Sequence, residues 1–495
     1  MASQFLAKKP LSSIIAEASN TGEHSLRRSL GPINLITLGI GAIIGAGIFV
    51  LTGTAAAQFA GPAITLSFVV AGIGCVFAGL CYAEFASMIP IAGSAYTYGY
   101  ATLGEIVAWI IGWALVLEYA FGAATVAVGW SGYVTGFLRF FGVAIPFNPT
   151  PKGHISLFGM TIPVQVDIFA MAAIVLITII LVIGVRESAN FNSAAVMVKI
   201  SVVLIFIGLA VSYASGHWSH MTANWHPFIP KNLGRYGEFG WSGIMRGAGV
   251  VFFAYIGFDA VSTAAQESRN PQKDMPFGIL GSLIICTTLY IVVSALLTGL
   301  KPYTTLNTPA PVADGAAEIG AAWGVFLIDI GAIAGLASVM LVMLLAQSRV
   351  LYTMAHDGLL WKWVGKIHPH FRTPYLTSIA VGIFVAFLAA SFSIVFLAKL
   401  VSLGTLLAFT IVCLGVWIMR ARHPEIPRPF RTPWVPGVPI LGMLICLALM
   451  LSLDLPAWIG FGTWLTLGLI IYFTYSRRHS KVQLTLSQSS QAVKR

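Results

Sequence analysis

The stretch Gly39-Ile40-Gly41-Ala42-Ile43-Ile44-Gly45-Ala46-Gly47-Ile48-Phe49 is apolar, yet its composition disfavours a continuous helix. It places four glycines within nine positions, and each costs about 1 kcal/mol relative to alanine in a helix interior. A break in the helix is one interpretation, and close helix packing through Gly41-x-x-x-Gly45 is another. The glycines also mimic a dinucleotide-binding pattern, but no strand precedes them, so that interpretation does not fit.

A second glycine-rich stretch, Gly247-Ala248-Gly249-Val250-Val251-Phe252-Phe253-Ala254-Tyr255-Ile256-Gly257-Phe258-Asp259, lies in the second half of the chain. Paired, glycine-interrupted apolar segments at corresponding positions of two halves are the sequence indicator of a transporter site. A broken helix exposes unpaired N–H groups on one side and unpaired carbonyls on the other. The N–H groups attract a carboxylate and the carbonyls attract an ammonium. Such a pair therefore suits a zwitterion such as an amino acid.

The whole chain has the composition of a membrane protein. Its 495 residues are 57% hydrophobic and 9% charged, with a mean hydropathy of +0.86, whereas soluble domains carry about 25% charged residues. This excludes a disordered tail, a nucleic-acid module and an ordinary cytosolic enzyme. No alternating period of two recurs, so the sequence predicts an all-α integral membrane protein. Twelve apolar segments can be marked, at 33–59, 63–88, 103–137, 165–184, 192–215, 240–265, 276–300, 321–352, 375–396, 398–420, 436–454 and 458–476.

The basic residues predict the orientation of these segments. With twelve spans, 20 of the 28 Lys and Arg residues fall on the side of both termini, six fall on the opposite side, and Lys199 and Arg246 lie within spans. Cytoplasmic loops carry the excess of positive charge. We therefore expect a multi-pass protein of the cell membrane with both termini in the cytoplasm, and the high pI of about 9.5 requires no nucleic-acid partner.

Several motifs together resemble one family. Residues 41–49 (GAIIGAGIF) resemble the helix-1 signature of the amino acid–polyamine–organocation (APC) superfamily, and residues 90–98 (PIAGSAYTY), with Glu84 before them, resemble its block around helix 2. Residues 253–259 (FAYIGFD) resemble helix 6 of its cationic amino acid transporter (CAT) branch. Further matches to this branch lie at 348–352, 357–359 and 431–436. The resemblance covers residues 28–476, and the chain is similar to bacterial members with 12 spans.

The resemblance implies a LeuT-like fold of 12 transmembrane helices, in which two inverted repeats of five helices have discontinuous helices 1 and 6. The implied organisation is a cytoplasmic N-terminal tail at 1–32, a first five-helix repeat at 33–215, an extracellular loop at 216–239, a second repeat at 240–420, peripheral helices 11 and 12 at 421–476, and a cytoplasmic C-terminal tail at 477–495.

By this analogy, the two breaks bind the substrate through backbone groups. The carboxylate meets the N–H groups of Gly45, Ala46 and Gly47. The ammonium meets carbonyls at or near Ile40, Ile43, Phe252, Ala254 and Ile256. Phe253 beside the second break either gates the site or simply packs. Together with Ile256 and Met340, it predicts an apolar side-chain pocket that favours neutral amino acids.

Two ionisable residues within spans are further candidates, because charges at membrane depth are costly. Lys199 either snorkels to the cytoplasmic surface or, by the family analogy, occupies a sodium-like position between helices 1 and 8, where it loads and releases a proton; Ser338 is a candidate neighbour. Glu118 either faces the substrate's amine or a cationic side chain, or pairs with Arg246 or a backbone group. No metal or cofactor site is predicted, and His368 and His370 fit a solvated loop better than a metal pair.

The sequence therefore predicts a secondary active amino acid transporter (permease). The expected activity is proton-coupled uptake of neutral, or of both neutral and cationic, L-amino acids by alternating access. The alternative is an amino acid exchanger without net proton coupling. No nucleophile–base pair, metal cluster or ATP-binding motif indicates an enzyme or a pump. The predicted partners are an L-amino acid, protons and the lipid bilayer.

Overall fold

The computed structural model describes residues 30–89, 94–143, 153–157, 160–164, 166–184, 189–265, 268–371 and 373–484. Nearly all of the predicted N-terminal tail, at 1–29, and the end of the C-terminal tail, at 485–495, therefore lie outside the described residues, as do Pro90 to Gly93 of the helix-2 motif. The described part of the chain is overwhelmingly helical, which confirms the predicted all-α class of membrane protein.

The first half of the described chain contains eight α-helices and one hairpin. The helices are α1 (Pro32–Ile43), α2 (Thr52–Ala55), α3 (Ile64–Met88), α4 (Ser94–Thr102), α5 (Glu105–Phe140), α6 (Ile168–Ile183), α7 (Ala189–Gly216) and α8 (Trp218–Asn224). Strands β1 (Gly153–Leu157) and β2 (Met160–Val164) pair antiparallel between α5 and α6. Shorter helical turns are π-helical at Gly47–Leu51 and Ala56–Ala60 and 3₁₀ at Gly61–Ala63.

The second half of the described chain contains ten further α-helices. These are α9 (Gly240–Val251), α10 (Ala260–Thr263), α11 (Pro271–Leu300), α12 (Pro311–Glu318), α13 (Ala322–His356), α14 (Tyr375–Ser391), α15 (Ile394–Arg422), α16 (Gly437–Ser452), α17 (Leu455–Ile471) and α18 (Arg477–His479). Shorter turns are 3₁₀ at Phe252–Tyr255, Tyr303–Thr305 and Lys362–Gly365 and π-helical at Tyr472–Ser476.

Within the described residues, seven helical stretches are long and apolar enough to cross a membrane. They are Gly47–Met88, Glu105–Phe140, Ala194–Gly216, Pro271–Leu300, Ala322–His356, Ile394–Arg422 and Leu455–His479. Four shorter apolar helices, α1, α6, α14 and α16, accompany them. Every predicted apolar segment overlaps at least one helix, whereas α4, α8, α12 and α18 fall outside the predicted segments.

The helix α5 occupies the centre of the bundle. In its most apolar window 83% of the residues are buried, compared with 22% in the stretch that contains α17. Neighbouring helices α13 and α15 pack along α5, while α11 packs along both α1 and α3. The glycine-rich first and sixth segments are therefore enclosed by the longest helices, and α17 lies at the periphery.

Part of the predicted polar C-terminal tail docks against the bundle. Glu105, fully buried at the start of α5, accepts hydrogen bonds from Tyr472 at 3.0 Å, from Gln483 at 2.9 Å and from the hydroxyl of Ser480. The N–H of Lys481 donates to the carbonyl of Asp357 over 3.1 Å. The tail therefore contributes packed structure at least as far as these residues.

Candidate functional site

The break in the first segment follows α1 directly. The N–H of Ile44 closes the last turn by donating to the carbonyl of Ile40 over 2.9 Å, and the backbone of Ile44 is extended, with φ −72° and ψ 103°. The chain becomes helical again as the π-helical turn at Gly47–Leu51. The glycines thus interrupt the helix, as the first interpretation of the sequence predicted. The carbonyl of Ile40, a predicted ammonium contact, already accepts a helical hydrogen bond.

The break in the sixth segment is built differently. The tight 3₁₀ turn at Phe252–Tyr255 follows α9, and then Ile256 is extended, with ψ 135°. Gly257 has φ +116°, a conformation that L side chains rarely adopt. A Cβ atom on Gly257 would also lie 2.8 Å from the carbonyl oxygen of Ala42, so both the backbone angle and the space require glycine at this position.

The two breaks touch each other. A Cβ atom on Gly47 would lie 2.3 Å from both the Cα and the Cβ of Ala254. Gly257 likewise contacts Ala42. The end of α1 therefore packs on the sixth segment, and the 3₁₀ turn that follows α9 packs on the first segment. The predicted substrate-binding backbone groups of both segments are therefore neighbours in space, inside a shell of fully buried side chains.

Tyr290, a residue that the sequence analysis did not single out, connects the two breaks. Its hydroxyl, on α11, lies 2.9 Å from the carbonyl oxygen of Ile43 and 2.9 Å from that of Ala254. One hydroxyl hydrogen serves both oxygens in turn, and each carbonyl retains a lone pair for a further donor. Two of the predicted ammonium contacts are therefore held together by a neutral donor.

The predicted carboxylate-binding groups start the second half of the first segment. Ala46 and Gly47 are buried there. Positions for added Cβ atoms show the enclosing helices: that of Gly45 lies 3.6 Å from Val339 on α13, and that of Gly129 on α5 lies 3.3 Å from the Cβ of Ala46. Little space surrounds these N–H groups, so the size of the neighbouring side chains limits which ligands can bind to them.

The predicted apolar pocket residues are all buried. Phe253 is 4% exposed, Ile256 2% and Met340 1%. The neighbouring Phe252 packs its ring on Phe409 of α15, with centroids 5.6 Å apart. Tyr255 directs its hydroxyl to the carbonyl of Phe68 on α3 over 2.8 Å. Of the two aromatic side chains nearest the break, Tyr255 is therefore engaged with α3.

Lys199 lies deep in the bundle instead of reaching the helix end. It is 1% exposed, and its Nζ donates to the carbonyl oxygen of Gly41 on α1 over 2.6 Å. Its stem crosses α13 so closely that a Cβ on Gly335 would lie 2.9 Å from the Cγ of Lys199. The snorkelling interpretation is wrong, and the residue occupies the space between α1 and α13. Ser338 donates to the carbonyl of Gly335 on its own helix over 2.9 Å.

Glu118 is buried in the middle of α5. Its Oε2 accepts a hydrogen bond from the hydroxyl of Thr405 on α15 over 2.7 Å, and its Oε1 has no hydrogen-bond partner among the described residues. Arg246 is engaged elsewhere, because its Nε donates to the carbonyl of Ser452 over 3.2 Å and its guanidinium lies over the ring of Tyr236. The predicted alternative of a Glu118–Arg246 pair is therefore wrong.

A helical membrane bundle with two interrupted segments in contact with each other is the architecture of a membrane transporter. The sequence model of the family described as "Amino acid permease" matches residues 30–474. The chain belongs to this amino acid permease family.

Named relatives agree that the family transports small molecules. The chain is 45% identical to the branched-chain amino acid permease BcaP of Bacillus subtilis (strain 168), over 97% of this chain and 100% of that protein. It is 44% identical to the methylthioribose transporter of the same organism, over 97% and 99%. It is also 38% identical to the vacuolar cationic amino acid transporter 4 of Arabidopsis thaliana, over 82% and 65%. The protein is therefore a transporter and not an enzyme.

Proposed function

We propose that this protein is a secondary active transporter that takes up neutral L-amino acids, with branched-chain side chains preferred, by alternating access coupled to protons. The observation that carries the proposal is the contact of the two breaks, in which Gly47 packs directly on Ala254. It brings N–H groups and carbonyls of two half-helices to one buried point. A free amino acid presents the matching pair of charges.

The proposed topology has 12 crossings and a LeuT-like arrangement. The discontinuous first and sixth segments each make one crossing in two pieces. The other crossings are the long helices together with the shorter α6, α14 and α16. We place both termini in the cytoplasm and the protein in the cell membrane, because the basic residues concentrate on the side of the termini. We propose the same domain limits that the sequence analysis predicted, with two five-helix repeats followed by a peripheral pair of helices.

The proposed substrate contacts combine backbone charge recognition with an apolar side-chain pocket. N–H groups of Gly45, Ala46 and Gly47 bind the carboxylate, and free lone pairs on carbonyls of the two breaks bind the ammonium. Phe253, Ile256 and Met340, buried and apolar, accommodate the substrate side chain. Burying a branched aliphatic side chain contributes about 1.5–3 kcal/mol, which favours leucine, isoleucine and valine over small or charged substrates.

Lys199 is the proposed proton-coupling residue. Its ammonium, bound to the carbonyl of Gly41, ties α7 to the inner half of the broken first segment. Burial away from water disfavours a charged lysine, and loss of the proton weakens a charge-assisted hydrogen bond. Proton release therefore loosens α1, and proton binding holds it. Ser338, one turn along α13 from Gly335, is the proposed polar neighbour when α1 moves.

Uptake by reconstituted proteoliposomes tests the proposal. We expect radiolabelled leucine to accumulate when the vesicle exterior is made acidic, and accumulation to stop when a protonophore dissipates the gradient. Accumulation that requires internal amino acid and ignores the pH gradient would instead identify an exchanger.

A competition panel defines the substrate. Unlabelled leucine, alanine, arginine and methylthioribose are added in turn to leucine uptake. We expect leucine to inhibit most strongly. Inhibition by arginine alone would contradict the neutral preference and indicate that Glu118 recognises a cationic side chain. Inhibition by methylthioribose as strong as that by leucine would contradict recognition through the α-amino and α-carboxyl groups.

A further inference from the structure

An exposed groove lies along α11. It encloses about 530 Å³ and is lined along α11 by Lys273, Phe277, Leu280 and Ile284, and across from it by Pro429 and Phe430. The four α11 residues follow helical spacing, so they form one stripe along a single face. Phe277 is 66% exposed and Ile284 is 60% exposed.

The groove has the length of one membrane leaflet. From Lys273 to Ile284 the helix rises about 16 Å at 1.5 Å per residue, roughly half of the ~30 Å hydrocarbon thickness. The polar end of the stripe is the start of α11, which lies beside the start of α1, because the N–H of Arg269 donates to the carbonyl of Leu30 over 2.9 Å. In the proposed orientation this is the cytoplasmic end.

The polar end is positively charged. Lys273 is exposed, and none of the ion pairs found among the described residues includes it. The nearest carboxylate in sequence, that of Asp274, accepts from the N–H of Asn270 over 3.2 Å and the hydroxyl of Ser268 over 3.5 Å. Arg431, also exposed, follows Phe430 directly. These basic residues lie at one end of the apolar stripe. The arrangement complements an anionic amphiphile whose charged group lies beside the basic residues and whose apolar chain lies along the stripe.

We propose that this groove binds an anionic phospholipid, with its phosphate beside Lys273 and an acyl chain along Phe277 and Ile284. The proposal rests on the proposed membrane orientation but not on the identity of the transported substrate.

The bound lipid would support the helix that carries the inner half of the first segment. Beside the groove, α11 packs tightly on α1: a Cβ on Gly278 would lie 2.7 Å from the Cβ of Leu35, and one on Gly281, which itself lines the groove, would lie 3.0 Å from the side chain of Ile36. An acyl chain in the groove therefore stiffens the surface against which α1 moves, which makes the groove a site through which lipid composition affects transport.

Native mass spectrometry of the full-length protein tests the proposal, with dioleoyl phosphatidylglycerol and dioleoyl phosphatidylcholine titrated separately. Wild type is expected to bind the anionic lipid more tightly. Lys273→Gln is expected to weaken the binding of phosphatidylglycerol by about fivefold and to leave the binding of phosphatidylcholine unchanged. Ile284→Trp, which fills the groove from an exposed position, is expected to weaken both lipids. The matched control is Lys366→Gln, at an exposed lysine of a loop that takes no part in the groove.

Equal binding of the two lipids to wild type would overturn the proposal. An equal loss in Lys273→Gln and Lys366→Gln would also overturn it, because the preference would then reflect the general charge of the surface. A dimeric mass that Ile284→Trp abolishes would identify a second copy of the chain as the occupant instead. None of these readouts depends on transport, so failure of the lipid site is distinguishable from failure of the proposed function.

Discussion

The ammonium of Lys199 donates to the carbonyl oxygen of Gly41 over 2.6 Å, and this hydrogen bond joins α7 to the last turns of α1. Gly41 lies two residues before Ile43, where α1 ends and the break begins. In the proposed coupling mechanism, a proton lost or gained at Lys199 therefore acts directly on the half-helix that contributes to the candidate site.

Replacing Lys199 by methionine is expected to uncouple transport from the pH gradient. Methionine keeps the apolar stem but is one heavy atom shorter, donates no hydrogen bond and carries no proton. We expect Lys199→Met to abolish leucine accumulation driven by external acid while counterflow exchange of leucine continues. Lys366→Met, at an exposed loop position, serves as the control and should accumulate as wild type does. Gradient-driven accumulation by Lys199→Met at the wild-type level would refute the coupling role.

Two neighbouring glycines are expected to respond differently to alanine. A methyl group on Gly47 would overlap Ala254, at 2.3 Å, whereas one on Gly45 would make an ordinary contact with Val339 at 3.6 Å. Overpacking costs about 1–3 kcal/mol. Gly47→Ala is therefore expected to lower the thermal stability of the detergent-purified protein clearly more than Gly45→Ala. Equal stability of the two variants would mean that the breaks do not pack as described.

Tyr290→Phe is expected to impair substrate binding. The substitution removes the donor shared by the carbonyls of Ile43 and Ala254, and a buried acceptor left without a donor costs about 1–3 kcal/mol. We expect a raised KM for leucine, since both carbonyls can then reorient. Tyr255→Phe is the matched control, because the hydroxyl of Tyr255 donates to the carbonyl of Phe68 within α3, which belongs to neither break. The same KM in both variants would argue against a positioning role for Tyr290.

Glu84→Ala is expected to destabilise the end of the bundle where α3 and α15 meet. Glu84 is 2% exposed and binds the guanidinium of Arg420 at 2.7 and 3.1 Å, that of Arg428 at 3.4 Å and the N–H of Thr432 at 2.8 Å. Removing one partner of a buried ion pair costs 3–5 kcal/mol. We expect the free energy of unfolding to fall by about 3 kcal/mol, the lower end of that range, because the side chain of Arg420 is 25% exposed.

The control for Glu84 is Glu425→Ala. Glu425 forms an exposed pair with His423, at 3.1 Å, and such pairs contribute little to stability. The hydrogen bonds of its carboxylate lower the pKa of Glu425 below its ordinary value, yet we expect no measurable change in thermal unfolding. A loss of stability in Glu425→Ala equal to that in Glu84→Ala would show that the buried interactions of Glu84 contribute no more stability than an exposed ion pair.

The sequence predicted the positions of both breaks, because clustered glycines weaken a helix wherever they occur. The location of Lys199 between α1 and α13 was implied only by the family resemblance, since the sequence pattern alone left snorkelling to the cytoplasmic surface open. The role of Tyr290 could not be predicted in this way. A single tyrosine in an apolar helix has the same local pattern whether it packs or bridges two breaks, and its partners, Ile43 and Ala254, are distant in sequence.

The sequence pattern also did not predict the exact helix boundaries or the contacts between residues that are distant in sequence. The prediction placed a boundary at 396–398, but α14 ends at Ser391 and α15 begins at Ile394, because Phe392 is extended and the Ser393 side chain caps α15 by accepting from the N–H of Phe396. Apolar residues continue across this turn, so hydropathy does not reveal it. The docking of Ser480 on Glu105 likewise depends on residues brought together only by folding.

Competition by leucine analogues in leucine counterflow tests most directly whether two broken helices recognise both charged groups of an amino acid. N-acetyl-leucine lacks the ammonium, and leucinol lacks the carboxylate, while both keep the side chain. The account predicts that each analogue inhibits roughly 100-fold less than leucine, because each leaves one set of buried backbone groups without its charged partner. Inhibition by leucinol or N-acetyl-leucine equal to that by leucine would contradict it.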